Sequence, residues 1–256
     1  MSILRVGIFL LLSGPGTALA ESRAVIPNVI APSTEGARIS VKVEPGLRSD
    51  KRLRSAALRQ ARADLHAGDP VMAPDLRALA EAGDGLAAQR YVRVLEASGT
   101  AAPSDLAYFA AVAVGTGRIW TLDTMVRAMH RLDPATEPKA RINKYISVLY
   151  PHAWAGNPVA LQAVVDFNGA GRLFGPLSER TRQRILDQAR VQGDGRLELG
   201  LAVALLERSE AMARPDPDDL IQAQELLQRA EASDHLAVQT TAKNLLRRMS
   251  KATPEG

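Results

Sequence analysis

Along most of this chain the apolar positions recur at helical spacing. Leu53, Ala57, Leu58, Ala61 and Leu65 share one face of a helix over residues 51–66, opened by Ser49-Asp50 and closed by Gly68-Asp69-Pro70. Leu76, Leu79 and Ala80 continue a short second helix to Gly83, with Pro74 in its first turn, so the pair forms an antiparallel hairpin. Later helices start from similar signals: Pro103-Ser104 before residues 105–114, Ser178 before 179–191, and Pro217-Asp218 before 219–231. Residues 21–48 break the pattern. Pro27, Pro32 and Pro45 exclude a helix there, and the β-favouring runs at Val29-Ile30 and over 39–43 allow at most one short strand, so the segment reads as an extended or disordered arm.

The helix boundaries repeat one another. Residues 80–89, 153–162 and 230–239 all obey A-x-A-G/S-D/N-x-x-A-x-Q, and residues 190–199 are a looser copy that keeps the Gly-Asp pair. Gly83-Asp84, Gly156-Asn157, Gly193-Asp194 and Ser233-Asp234 are therefore candidate repeat junctions. The last three are spaced by roughly 40 residues and the first gap is about twice that, which places a degenerate unit between 83 and 156 with its own junction near Gly115-Thr116-Gly117. At each junction a glycine can adopt the left-handed conformation that ends one helix, while Asp or Asn accepts hydrogen bonds from the free amides of the next. Units of this length pair two helices and bury their apolar faces only by stacking on their neighbours.

These residues resemble the Sel-one-like repeat family, a branch of the tetratricopeptide-like helical repeats. Gly156, Asn157, Ala160, Gly169, Gly171 and the segment 189–193 fit that family's outline, and the resemblance spans roughly residues 70–250. The aromatic commonly found near the turn appears as Phe167 in one unit alone, and residues 117–152 carry little of the pattern. The resemblance implies an all-α protein, a right-handed α-solenoid of stacked helix-turn-helix repeats. It also implies an interaction scaffold: exported bacterial members include assembly factors for alginate-type exopolysaccharide secretion and periplasmic regulators of sensor kinases. The former normally carry a lipid-bearing Cys, which this chain lacks, and that favours a soluble regulator.

The first twenty residues change the picture by adding a compartment. Arg5, an apolar stretch over 6–12 and Ala18-Leu19-Ala20 make a secretory signal peptide, too short to span a bilayer as an anchor. The expected organisation is a signal peptide over 1–20, the arm over 21–48, a helical repeat domain over 49–250 and a disordered tail over 251–256. The expected location is the periplasm, with no stable membrane insertion after cleavage. Cleavage removes Arg5 and lowers the formal net charge from +4 to +3. So small an excess, in an exported chain, argues against a nucleic-acid partner.

Candidate chemistry is sparse. His66, His130, His152 and His235 are far apart and read as surface or helix-end residues, and with no Cys the sequence suggests neither metal nor cofactor. No catalytic residue is assigned. The glycines of Asn168-Gly169-Ala170-Gly171 fit a helix-breaking elbow better than a phosphate cradle. Asp216, Asp218 and Asp219 sit at a helix start that favours their charged form, unlike the protonated acid of a glycan-cleaving enzyme. The aromatics Tyr108, Phe109, Trp120, Tyr145, Tyr150 and Trp154 read as core fillers. Two basic stretches remain, Arg48 to Arg62 and Arg172 to Arg190; within the second, Arg172, Arg180 and Arg184 are candidate partner-binding residues. The leading expectation is a non-catalytic periplasmic scaffold that binds another envelope protein, with an acidic polysaccharide as a further partner. The alternative is a periplasmic helical protein that binds or cleaves polysaccharide.

Overall fold

The computed structural model describes residues 41, 43–212 and 216–252, so the signal peptide and most of the arm lie outside the described residues. Among the described residues every regular element is helical. In order these are α1 (Ala56–Ala67), α2 (Ala73–Glu81), α3 (Gly85–Ser98), α4 (Pro103–Gly115), α5 (Leu122–Met129), α6 (Lys139–Trp154), α7 (Pro158–Phe167), α8 (Glu179–Gln192), α9 (Arg196–Ala211), α10 (Pro217–Glu231) and α11 (Leu236–Ala252). Two short 3-10 turns, Asp50–Arg52 and Ile119–Thr121, precede α1 and α5.

Local chemistry sets most starts. Pro103, Pro158 and Pro217 occupy first turns, where the missing amide has no intrahelical partner to lose. Ser178 Oγ accepts from the Thr181 amide at 3.2 Å and opens α8 where the sequence places it. The first helix departs from expectation: residues 51–66 are not continuous, because Ser55 Oγ accepts from Leu58 N at 3.0 Å and restarts the helix at Ala56. At α10 the capping oxygen belongs to Asp216, one residue earlier than the Pro217-Asp218 start suggests.

Consecutive helices pack from α1 through α5, from α6 to α7 and from α8 through α11, and alternate helices pack as well: α1 on α3, α2 on α4, α4 on α6, α5 on α7, α7 on α9 and α9 on α11. The core between them is made of alanines and aliphatics, with Leu65, Leu79, Met125, Met129, Leu149, Leu161 and Leu201 removed from solvent.

The junctions touch one another across this packing. A side chain at Gly85 would place its Cβ 1.9 Å from Thr116 Oγ1, and one at Gly195 would meet Ser233 Cβ at 2.7 Å. Thr116 lies in the turn after α4, at the junction the spacing places near residues 115–117. Part of the arm joins in: Glu44 N–H donates to Gly115 O at 2.7 Å and Leu47 N–H donates to Gly83 O at 3.0 Å. Residues 44–47 thus lie across the ends of α4 and α2, with Leu47 buried.

Candidate partner-binding surfaces

The junction residues have structural roles. Gly83, Gly156 and Gly193 have positive φ and follow the ends of α2, α6 and α8. Asp84 caps α3 by accepting from Leu86 N and Ala87 N, both at 3.0 Å, and Asn157 caps α7 by accepting from Ala160 N at 3.0 Å. At the later junctions the register shifts. Gly195 is the residue that caps α9, and Asp194 accepts from Arg196 N at 3.0 Å. At the fourth junction Ser233 Oγ accepts from His235 N at 3.0 Å and donates to Asp194 O at 2.6 Å, while Asp234 stands exposed outside this network.

Around Asp84 the sequence pattern gives no warning of what gathers. Its carboxylate is 3% exposed and accepts from Arg62 Nε at 2.9 Å, with His66 Nε2 at 3.0 Å. Arg62 also reaches Asp50 and donates to Leu47 O at 2.8 Å. Burial pushes the Asp84 carboxyl up, but the hydrogen bonds from His66, the Ala87 amide and Arg62 outweigh it and hold it below the ordinary carboxylate value. So the first basic stretch divides: Arg62 turns inward and Arg59 donates to Leu53 O at 2.9 Å, whereas Arg48, Lys51, Arg52 and Arg54 are exposed.

The three arginines singled out in the second stretch are not equivalent. Arg172 is committed: its guanidinium donates to Asp166 O at 2.9 Å and to both oxygens of Glu207 at 2.6 Å, which ties the elbow after α7 to α9. Arg180 and Arg184 are exposed on α8. Arg180 has no ion-pair partner among the described residues, and Arg184 lies over the Trp154 ring at 5.5 Å. Next to Arg184, Trp154 belongs to a linked aromatic cluster with Tyr150, Phe174 and Phe167, at centroid distances of 5.4 to 6.1 Å.

A second surface follows α2, α4 and α6. Glu81, Tyr108, Pro138, Ala140, Arg141 and Lys144 line an open cavity of about 520 Å³. Arg141 stacks on Tyr108 at 4.9 Å and donates to Asp105 Oδ1 at 2.8 Å, Arg77 donates to Glu81 Oε1 at 3.0 Å, and Lys144 pairs with Glu44 of the arm. The charges of this groove are thus largely paired. Behind it, Glu137 is buried and accepts from Tyr145 Oη at 2.7 Å and Ser104 Oγ at 3.0 Å. Burial and this neighbouring acid push the Tyr145 phenol far up, so it stays protonated and donating.

The buried acids are held by structural donors. Asp219, at the helix start singled out in the sequence, is buried and forked by Arg208. Asp166 differs. Burial pushes its carboxyl up against the opposing effects of Gln162, which donates at 2.8 Å, His130 at 3.7 Å and Arg172. Glu198 Oε2 is enclosed without a hydrogen-bond partner among the described residues.

His152 lies at a helix end, in the last turn of α6, but is buried there, and burial lowers its pKa. One expectation is corrected. Trp120 is 63% exposed rather than a core filler, because the 3-10 turn Ile119–Thr121 carries it outward while Thr121 points in. Phe109 and Tyr145 do fill the core, and Tyr108, Tyr150 and Trp154 pack half-buried against it.

Among the described residues no three His, Asp or Glu side chains gather as a metal site, and no helix is long and apolar enough to cross a membrane. The described chain defines an all-helical protein of packed hairpins. No protein-family model, curated protein or solved structure matches it.

Proposed function

We propose that the protein is a non-catalytic right-handed α-solenoid of the Sel-one-like kind, exported to the periplasm, that holds another envelope protein against its helical surface in an exopolysaccharide or envelope-regulation system. The observation that carries this reading is the packing of alternate helices along the chain, joined to a hairpin closure that recurs, Gly85 at the start of α3 against Thr116 after α4 and Gly195 at the start of α9 against Ser233 after α10. Arg180 and Arg184 then offer exposed guanidinium groups for an acidic partner surface, whereas Arg172 braces the elbow behind them.

The reading is tested by a crosslinked pull-down of the mature chain from periplasm and envelope. A discrete protein partner is expected, with recovery reduced by the double substitution R180E/R184E and thermal stability nearly unchanged, since both side chains are exposed. Recovery of free glycan alone, or turnover of an acidic polysaccharide by the purified chain, overturns it.

A further inference from the structure

The exposed Trp120 is held in place. Its indole Nε1–H donates to Gln89 Oε1 at 3.0 Å, and Arg93 Nη2 donates to the same oxygen at 3.1 Å, in the amide orientation of Gln89 that satisfies both donors. Gln89 is itself buried. The next residue, Thr121, is buried and anchors the turn by donating from Oγ1 to Arg118 O at 2.9 Å. The orientation of the indole is therefore set before any partner arrives, and little side-chain freedom is left to lose on binding.

Its surroundings are apolar and basic. Ile119, the preceding residue, is 38% exposed; Val43 of the arm is 51% exposed and packs 3.3 Å from where a Cβ on Gly117 would sit. Arg93 and Arg118 have no acidic partner among the described residues: the Arg118 guanidinium donates to Thr116, at 3.2 Å to the carbonyl and 3.4 Å to the hydroxyl. The neighbouring acids in sequence are already engaged, Glu96 by Thr124 and Asp123 by Arg127. A fixed indole beside exposed aliphatics and unpaired guanidiniums has the composition of a protein-interface hot spot.

We infer that the Ile119–Trp120 turn is an anchor for a partner-protein segment carrying a bulky apolar side chain beside carboxylates. The inference rests on the scaffold reading and names a surface distinct from Arg180 and Arg184. A sugar fits less well. Stacking on the ring would leave hydroxyls needing acceptors and amides, and the amide at hand, Gln89, is buried and occupied. Carboxylates answer Arg93 and Arg118, and an apolar side chain answers Trp120 and Ile119.

The test is selection of a random twelve-residue peptide library on the full chain, with counter-selection on W120A. Circular dichroism and a thermal melt establish that W120A and R93E/R118E are folded. Enriched peptides are expected to combine net negative charge with a bulky apolar residue. They should bind W120A and R93E/R118E at least tenfold more weakly, and should shift the emission of Trp120 in a W154F background. Enrichment of basic peptides, equal binding to W120A, or the absence of peptides dependent on Trp120 overturns the inference. An oligouronate that shifts Trp120 emission where peptides do not also overturns it and makes the surface a glycan platform. If W120A still recovers the partner in the envelope pull-down, this anchor fails while the scaffold reading stands.

Discussion

The Gly83–Asp84 and Gly156–Asn157 junctions share one local recipe, yet the fold uses them differently. Both follow an Ala-rich helix end, both put glycine at positive φ, and both cap the next helix through a side-chain oxygen. Asn157 stops there: it is half-exposed, and its side chain accepts from Ala160 N alone among the described residues. Asp84 is enclosed, and Arg62, His66 and the arm converge on its junction. The contrast teaches that the recipe fixes where a helix turns, while neighbouring elements decide how much stability hangs on the turn.

The largest break in that comparison is Asp84→Ala. It removes the oxygen that accepts from two helix amides and takes from Arg62, a partly buried cation, its enclosed carboxylate partner while Asp50 remains, so a loss of about 3 kcal/mol is expected by urea unfolding. A loss below that of Asn157→Ala would erase the distinction. Next comes Gly85→Ala, which drives a methyl group into Thr116 and Arg118 at the same junction and should cost about 2 kcal/mol. Asn157→Ala removes one cap bond in a half-exposed site, and about 1 kcal/mol is expected.

The smallest effect sharpens the comparison through pH, because Asp84 and Asp166 lean in opposite directions. The folded state holds Asp84 below its unfolded pKa of about 3.9, so its contribution is present above that value and is lost as the pH falls through the depressed folded value. Asp84→Asn should therefore flatten the acid side of the stability profile. Asp166 is raised in the folded state, so its contribution is present below the unfolded pKa and is lost as pH rises through the raised value. Asp166→Asn, whose amide oxygen still accepts from Gln162, should stabilise the protein modestly at neutral pH and have no such benefit near pH 3. Melting temperatures from pH 3 to 8 for both variants read this out; profiles parallel to wild type would refute it.

Most helices were legible wherever a cap or proline sits beside an apolar run, as at Pro103, Pro158, Ser178 and Pro217. The stretch between Gly117 and Trp154 was not. α6 begins after Pro138 without a side-chain cap and carries Pro151 inside it, so the two punctuation marks a reader relies on are missing or misplaced. Ion pairs such as Arg62–Asp84, Arg141–Asp105 and Arg208–Asp219 join different helices or a helix and a junction, and no spacing rule announces them. For the candidate surfaces, the composition of the second basic stretch pointed to Arg172, Arg180 and Arg184 together. Only the packing separates the brace from the two exposed guanidinium groups. Trp120 escapes the pattern because Ile-Trp-Thr-Leu has the composition of core, and the 3-10 turn places Thr121 inside and the indole outside.

The elbow after α7 closes on itself. Phe174 N–H donates to Phe167 O and Gly169 N–H donates to Gly175 O, both at 2.8 Å, and Arg172 reaches from this loop to Glu207 on α9. The peptide bond after Arg172 is a trypsin site whose arginine is already occupied by the protein's own carboxylate. Cleavage there requires the loop to let go of α9, so the rate of tryptic nicking at this one bond becomes a clock for how often the middle of the molecule opens.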